Sequence, residues 1–200
     1  DTITAKLFMR DDQLAEVTDY VKEKAFIKLK GVVAMDTYDH DLCISSIMGI
    51  KKCADFTVAR MDNSAYKRVE LHCHTKMSDM DGVSEAKDIV KRAYKWGHPA
   101  IAITDHGVMY GVIDFYRACK KEGINPIIGC EVYVAPNSRF DKELTGGEDR
   151  YYHLVLLAEN NTGYQNLMKI VSKGFTEGYY YRPRVDMEVL REYHEGIIAL

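Results

Sequence analysis

Two histidines one residue apart, His72 and His74, are the residues of this sequence best placed to bind a metal ion. They end a short apolar run over residues 69–74 that predicts a β-strand. Residues i and i+2 of a strand point to the same face, so both imidazoles can bind one ion. A carboxylate from the next loop would complete such a site.

That loop offers two carboxylates, Asp79 and Asp81. Asp81 is favoured because it precedes Gly82, where the backbone can turn tightly. Both remain candidates at this point.

Further candidate ligands follow later predicted strands. His106 comes after an apolar strand, Glu131 lies late in another, and His153 lies early in a fourth. A lone His-x-His pair is often a partly buried surface pair, so the repetition is what carries the hypothesis. Ligands that gather at strand ends predict a polynuclear metal site acting on phosphate esters. Asp105 is expected either to orient one of these histidines or to be an acidic residue that stabilises a turn or caps a helix.

Composition limits the possible functions. The 200 residues carry a net charge of −3, so any contact with nucleic acid must be local. No apolar run is long enough to span a bilayer, and no signal peptide is visible. Five scattered cysteines without a Cys-x-x-Cys pair predict reduced thiols in a cytoplasmic protein.

A basic aromatic run, residues 179–184, contains Arg182 and Arg184. It could contact a phosphate backbone or stack on a base. It could equally be an ordinary loop that packs its tyrosines on the domain, and the sequence leaves the two open.

The pattern of predicted strands and helices changes near residue 68. Residues 1–68 predict short strands with one helix near residues 13–22, typical of a small OB-like β-barrel followed by a linker. Residues 69–200 alternate strand and helix, which predicts parallel strands wrapped by helices in an α/β barrel or open sheet. The predicted helices are residues 83–96, 112–121 and 166–173, and the predicted strands are residues 100–104, 126–134, 152–158 and 196–200.

These segments resemble the PHP domain at the N-terminus of bacterial DNA polymerase III alpha subunits. Residues 68–83 resemble the opening motif of the PolC-type enzyme, and residues 1–68 resemble the OB region before it. Closer similarity to the DnaE-type enzyme is carried by residues 108–116, 127–134, 152–158 and 161–167.

The resemblance implies a PHP-type distorted (βα)7-like barrel, truncated at residue 200, after an OB-like domain. It implies a divalent metal site of up to three ions, zinc or manganese, with Glu131 and His106 as the catalytic residues. The matching ligand positions are His72, His74, Asp81, His106, Glu131 and His153. Further ligands of the family would lie beyond Leu200, so we expect this piece alone to be inactive.

The resemblance also implies a function for a longer parent protein. That protein would be a DNA-directed DNA polymerase with Mg²⁺ in a polymerase site outside this chain. Its partners would be primer-template DNA and other replisome subunits, with no membrane. The PHP site would hydrolyse phosphodiesters in 3′–5′ proofreading or act as a structural brace. A free-standing PHP phosphatase acting on a small phosphoester is the alternative.

Overall fold

The computed structural model describes residues 2–19, 21–143 and 150–200. The chain divides into two compact units, Asp1–Arg60 and Met61–Leu200. The predicted boundary at residue 68 and the two-domain assignment remain predictions.

The first unit contains the elements β1 (Thr4–Ala5), α1 (Asp11–Thr18), β2 (Ile27–Met35) and β3 (Leu42–Lys52). Its three strands form a sheet of order β1-β3-β2. Strand β3 runs parallel to β1 and antiparallel to β2, with a hairpin turn between β2 and β3. Helix α1 begins two residues before the predicted start and ends at Thr18, whereas the prediction extended it to residue 22, and residue 20 lies outside the described residues. The OB-type assignment remains a prediction.

The second unit is an α/β structure. Its elements are α2 (Ala86–Lys95), β4 (Ala100–Ile103), α3 (Val112–Glu122), β5 (Asn125–Val134), β6 (Tyr152–Ala158), α4 (Asn161–Thr176), β7 (Tyr179–Tyr180), β8 (Arg182–Val185), α5 (Met187–Glu192) and β9 (Ile197–Ala199). The long strand β5 is central: it pairs with β4 along its first half, with β8 near its end, and with β6 on its other edge. The sheet order is β7-β8-β5-β6-β9, with β4 joined to β5.

The expectation of parallel strands throughout is wrong for β6 and β9. Strand β6 runs antiparallel to β5, and β9 runs antiparallel to β6. The described part of the connection from β5 to β6 contains no helix, and an antiparallel neighbour needs no helical crossover. The start of β6 therefore lies beside the end of β5, with His153 opposite Tyr133.

The predicted strand over residues 69–74 is reduced to a single bridge between Glu70 and Ile101. The segment still follows β4, because the carbonyl of Cys73 accepts the N–H of Thr104. The N–H of Cys73, however, donates to the Thr104 hydroxyl rather than to a neighbouring backbone. This hydrogen bond to a side chain takes the place of one of the backbone–backbone hydrogen bonds of a regular β-ladder.

Helices α2 and α3 pack on β4 through the apolar faces that their sequence periodicity predicts. The core residues there include Val90, Ala93, Ile103, Phe115 and Cys119. A second core cluster places α4 and α5 on β5 and β6, and it includes Val132, Leu156, Leu167, Ile170 and Val189.

The helix boundaries differ in part from those predicted. Helix α2 begins at Ala86, so Ser84 does not cap it. Gly97 and Gly123 follow α2 and α3 with φ of +78° and +80°, the left-handed conformation expected of a helix stop. Helix α4 is longer than predicted because the Asn160 side chain caps it by accepting the N–H of Gly163.

The hairpin β7–β8 escaped sequence-based prediction. Within the described part of the chain, no helix combines the length and the apolar character needed to cross a membrane.

Candidate metal centre

Glu131 lies at the centre of a group of four histidines. Its side chain is 6% exposed, and its Oε2 contacts His72 Nε2 and lies 3.0 Å from His74 Nε2. Its Oε1 lies 2.5 Å from His153 Nδ1, and His106 Nδ1 lies 3.6 Å from Oε2. One buried carboxylate thus faces all four histidines that were predicted to be ligands.

Backbone pairing explains how these residues meet. His106 follows β4 and forms a parallel bridge with Glu131 of β5. The N–H of Glu131 donates to the Asp105 carbonyl, and the N–H of Gly107 donates to the Glu131 carbonyl. The antiparallel direction of β6 brings His153 to the same edge, although His153 lies early in its strand.

The acidic loop contributes Asp81 in preference to Asp79. Asp81 Oδ2 lies 2.9 Å from His106 Nε2. The loop turns tightly here, since the N–H groups of Asp81 and Gly82 both donate to the Ser78 carbonyl. A Cβ atom at Gly82 would lie 1.9 Å from the Thr75 carbonyl oxygen, so only glycine fits. Among the described residues, Asp79 belongs to none of the groups that could hold an ion.

Asp105 acts on the histidines through Ser78. Its buried carboxylate accepts hydrogen bonds from the Thr75 N–H at 2.6 Å, the Thr75 hydroxyl at 2.8 Å and the Ser78 hydroxyl at 2.7 Å. Ser78 Oγ in turn accepts the N–H of His106 and lies 2.8 Å from His74 Nδ1. Because the single hydroxyl proton of Ser78 goes to Asp105, His74 donates from Nδ1.

This hydrogen-bond direction fixes the tautomer of neutral His74. With its proton on Nδ1, the Nε2 lone pair faces Glu131 Oε2 at 3.0 Å and His72 Nε2 at 3.1 Å. The two acceptor atoms, His74 Nε2 and Glu131 Oε2, repel one another at this distance unless a cation lies between them. The buried His106 Nδ1 also has no hydrogen-bond partner among the described residues. Both features fit a bound metal ion.

The protonation states match those that metal ligands require. Burial alone would raise the pKa of Glu131, but hydrogen bonds from His72 and His153 and the charge of His106 outweigh burial and lower it. Burial, followed by repulsion from His106, lowers the pKa of His74. An ionised carboxylate and a neutral imidazole are the ligand forms of these groups.

The ligand atoms form three overlapping groups, in each of which the atoms lie within 4.8 Å of one another. Glu131, His74 and His106 each belong to two groups, so neighbouring ions would share ligands. Nitrogen and carboxylate ligands of this kind suit zinc and also manganese. The groups are His72–His74–Glu131, His74–Asp81–His106 and His106–Glu131–His153.

The two arginines of the basic aromatic run have different positions. Arg184 is only 2% exposed, and its guanidinium donates to the carbonyls of Gly178, Arg139 and Asp141. This burial contradicts the predicted phosphate contact for Arg184. Arg182 is partly exposed and lies over the Tyr133 ring at 5.7 Å from its centroid.

Sequence reasoning missed Ser78, the residue that connects Asp105 to His74 and His106. Its signal was weak, because serine in a polar turn is common. Tyr133 was also missed, although its ring stacks on His106 with centroids 5.9 Å apart. Its position two residues after Glu131 on β5 gave a usable signal, since both side chains point to the same face.

An α/β domain with clustered histidines and carboxylates at its strand ends defines a class of divalent-metal proteins. Residues 70–200 match the PHP domain, and the chain belongs to the PHP family.

Two relatives are DNA polymerase III alpha subunits. The one from Treponema pallidum is 53% identical over 133 residues, and the one from Chlamydia pneumoniae is 50% identical over 132 residues. Each alignment covers 66% of this chain and 11% of the relative, so the chain spans about a ninth of the length of the relatives it matches. An amidohydrolase structure from Chromobacterium violaceum is 24% identical with a TM-score of 0.39, and it covers 52% of this chain and 32% of its own.

Proposed function

We propose that this chain is the N-terminal part of a cytoplasmic bacterial DNA polymerase III alpha subunit. In this proposal residues 1–68 form an OB-like domain and residues 69–200 belong to a PHP domain. The relatives named above support the assignment. The longer protein would act on primer-template DNA with other replisome subunits, using Mg²⁺ at a separate polymerase site.

We further propose that the PHP site hydrolyses phosphodiesters at a DNA 3′ end. The observation that carries this proposal is Glu131, an almost buried carboxylate surrounded by four imidazoles. A carboxylate in this setting loses much of its hydration, so cations must replace what water would have supplied. Protonated histidines alone would repel one another at these separations.

Each residue has a distinct role in this proposal. Bound zinc or manganese ions would polarise a phosphodiester and make a water molecule more acidic. Glu131 belongs to two of the ligand groups, with Oε2 facing His72 and His74 and Oε1 facing His153, so one carboxylate would serve both groups. His72, whose side chain is half exposed, lies at the open rim where substrate can approach. His106 links this rim to Asp81, because its Nε2 contacts the Asp81 carboxylate.

A structural brace is the second candidate function, and one observation favours it. The site joins five separate segments of the chain, those carrying His72, Asp81, His106, Glu131 and His153. Ions held there would stabilise the fold without any chemistry. A free-standing phosphatase for small phosphoesters is the third candidate function. Its substrate, a small phosphoester rather than a DNA 3′ end, distinguishes it from the first candidate.

Metal content is the first test. The purified chain is dialysed with zinc or manganese and then against metal-free buffer, and elemental analysis counts the ions retained. We expect one to three ions per chain, and H72A/H74A should lose most of them. H40N is the matched control because it alters a histidine in the β2–β3 turn. A metal-free wild type would contradict the proposal.

Excision is the second test, made in the longer polymerase that carries this segment. Glu131→Gln keeps the side-chain shape but removes the charge, so 3′–5′ excision should be lost while polymerisation persists. The matched control is E159Q, an exposed glutamate after β6. Intact excision together with a lower melting temperature would support the brace instead.

A further inference from the structure

A cleft beside the metal centre has a lining that the metal chemistry does not use. Its volume is about 380 Å³, within the range of roughly 300–1,000 Å³ typical of small-molecule sites. His106 lines the cleft together with Phe175, Tyr179 and Arg182. A molecule in the cleft would therefore reach the metal centre directly.

Two aromatic rings of that lining face solvent. Phe175 and Tyr179 stack with their centroids 6.2 Å apart and their planes at 27°, yet they remain 39% and 52% exposed. Aromatic side chains that only packed against the domain would be less exposed than these two rings are. Exposed, parallel rings offer a flat apolar surface on which a planar base can stack.

The same lining carries a cation positioned for an anion. Arg182 is held over the Tyr133 ring and forms no salt bridge with any carboxylate among the described residues. Lys76 also lines the cleft, and its ion pair with Glu85 is surface-exposed and therefore weak. Asp79 is the one carboxylate of the lining, so the cleft keeps a small positive excess.

Tyr133 connects this cation to the metal centre. Its ring stacks on His106 and also lies under the Arg182 guanidinium. The cation, the aromatic rings and the metal-binding histidine therefore belong to one continuous surface. Next to them, Tyr181 occupies the tip of the β7–β8 hairpin with φ of +59°, an unfavourable conformation for tyrosine.

We propose that this cleft binds one nucleotide unit of a single strand, with its base on Phe175 and Tyr179 and a phosphate at Arg182. The inference rests on the proposed function and deepens it, because it names the nucleobase as the recognised feature. The site would then select base-bearing phosphodiesters over small phosphoesters that lack a base.

Binding to metal-free protein tests the cleft separately from hydrolysis. The probes are a fluorescein-labelled tetrathymidylate and a strand of equal length built from abasic tetrahydrofuran units, titrated in EDTA by anisotropy. Stacking contributes about 1–3 kcal/mol per base, so the wild type should prefer the thymidylate by about 5- to 150-fold.

The variants separate the two contacts. F175A/Y179A should reduce the preference to near unity, whereas Y179F should retain it because the ring remains. R182A should weaken both strands alike. Y66A, at a tyrosine that is 93% exposed and does not line the cleft, is the control. If the double alanine variant fails to melt cooperatively, F175L/Y179L removes the rings while keeping apolar bulk.

The outcomes distinguish this inference from the proposed function. Equal binding of both strands by the wild type, or an unchanged preference in the ring-deleted variant, overturns the cleft assignment even if metal-dependent hydrolysis is found. A ring-dependent preference supports the cleft. If that preference comes without phosphodiester hydrolysis by the longer protein, it is the hydrolytic function that is overturned.

Discussion

Ser78 joins a buried carboxylate to two histidines of the candidate metal centre. It donates to Asp105, accepts the N–H of His106, and orients His74 through Nδ1. Residues that hold a ligand's second nitrogen also set which lone pair is free for a metal. The tautomer of His74 is therefore decided by two residues that touch no ion.

Ser78→Ala should weaken zinc binding by about 10- to 100-fold, the usual effect of losing such a partner. Without the hydroxyl, His74 can rotate or carry its proton on Nε2. The measurement is a competitive zinc titration against a chromophoric chelator. The exposed Ser84→Ala is the matched control, because the Ser84 carbonyl that accepts the N–H of Lys76 is kept in this variant. Equal zinc affinities for both variants would contradict the role of Ser78.

The loop between His74 and α2 shows how an element's conformation places a ligand. Its closure brings Gly82 so near the Thr75 carbonyl that no side chain fits. Because Asp81 immediately precedes Gly82, the close approach of Gly82 to Thr75 places Asp81 beside His106.

Gly82→Ala should lower the free energy of unfolding by about 1–3 kcal/mol, as overpacking usually does. It should also weaken metal binding, because the loop must move and take Asp81 with it. Urea melts and the chelator titration measure the two effects. Gly49→Ala is the control, since nothing lies within 4 Å of its added Cβ. A metal affinity unchanged in G82A would show that Asp81 is not a ligand.

Helix α5 begins at a buried acid that also holds an arginine. Asp186 accepts the N–H of Val189 as the helix cap and pairs with Arg139 at 3.0 Å. Burial alone would raise the pKa of Asp186, but the bonds from Arg139 and Val189 outweigh burial and lower it. Its contribution to stability is therefore present above the unfolded-state pKa of about 3.9 and is lost as pH falls through the folded value.

Asp186→Asn keeps a capping residue but removes the charge. At pH 7 it should lower the free energy of unfolding by about 1.5–3 kcal/mol, the usual contribution of a charged hydrogen bond. The difference from wild type should narrow below pH 4, as the wild-type acid becomes protonated. Urea melts at pH 7 and pH 3 measure this, with E159Q as the charge control. A difference independent of pH would argue against the ion pair.

At the scale of the whole molecule, the two units differ in their cores. Of the described residues in Asp1–Arg60, Cys43 alone is a buried hydrophobic residue, whereas Met61–Leu200 contains three core clusters. All candidate metal ligands belong to the second unit. Stability and metal binding are therefore both concentrated in Met61–Leu200.

Residues 61–200 expressed alone should fold cooperatively and bind as much metal as the full chain. In the full chain, the amides of β2 and β3 should exchange with solvent faster than those of β5, because less apolar surface protects them. Calorimetry, elemental analysis and hydrogen exchange make the comparison. A segment 61–200 that is unfolded or metal-free would show that the first unit is required.

Local patterns in the sequence determined much of what lies within a single element. The periodicity of α2 and α3 predicted their buried faces, and Gly97 and Gly123 marked their ends, because these features depend on near neighbours in the chain. The His-x-His pair, His106 and Glu131 were recognisable because each has metal-ligand chemistry next to a predicted strand. The PHP resemblance followed from these same short segments.

Only the tertiary structure decided how separate segments meet. The antiparallel direction of β6 placed His153 beside Glu131, and the sequence of β6 is equally compatible with either direction. The burial of Arg184 could not be read from a polar run, since it depends on carbonyls contributed by distant segments. Ser78 became a positioning residue for the same reason: its partners Asp105 and His106 are far along the chain, and only folding brings them within hydrogen-bond distance.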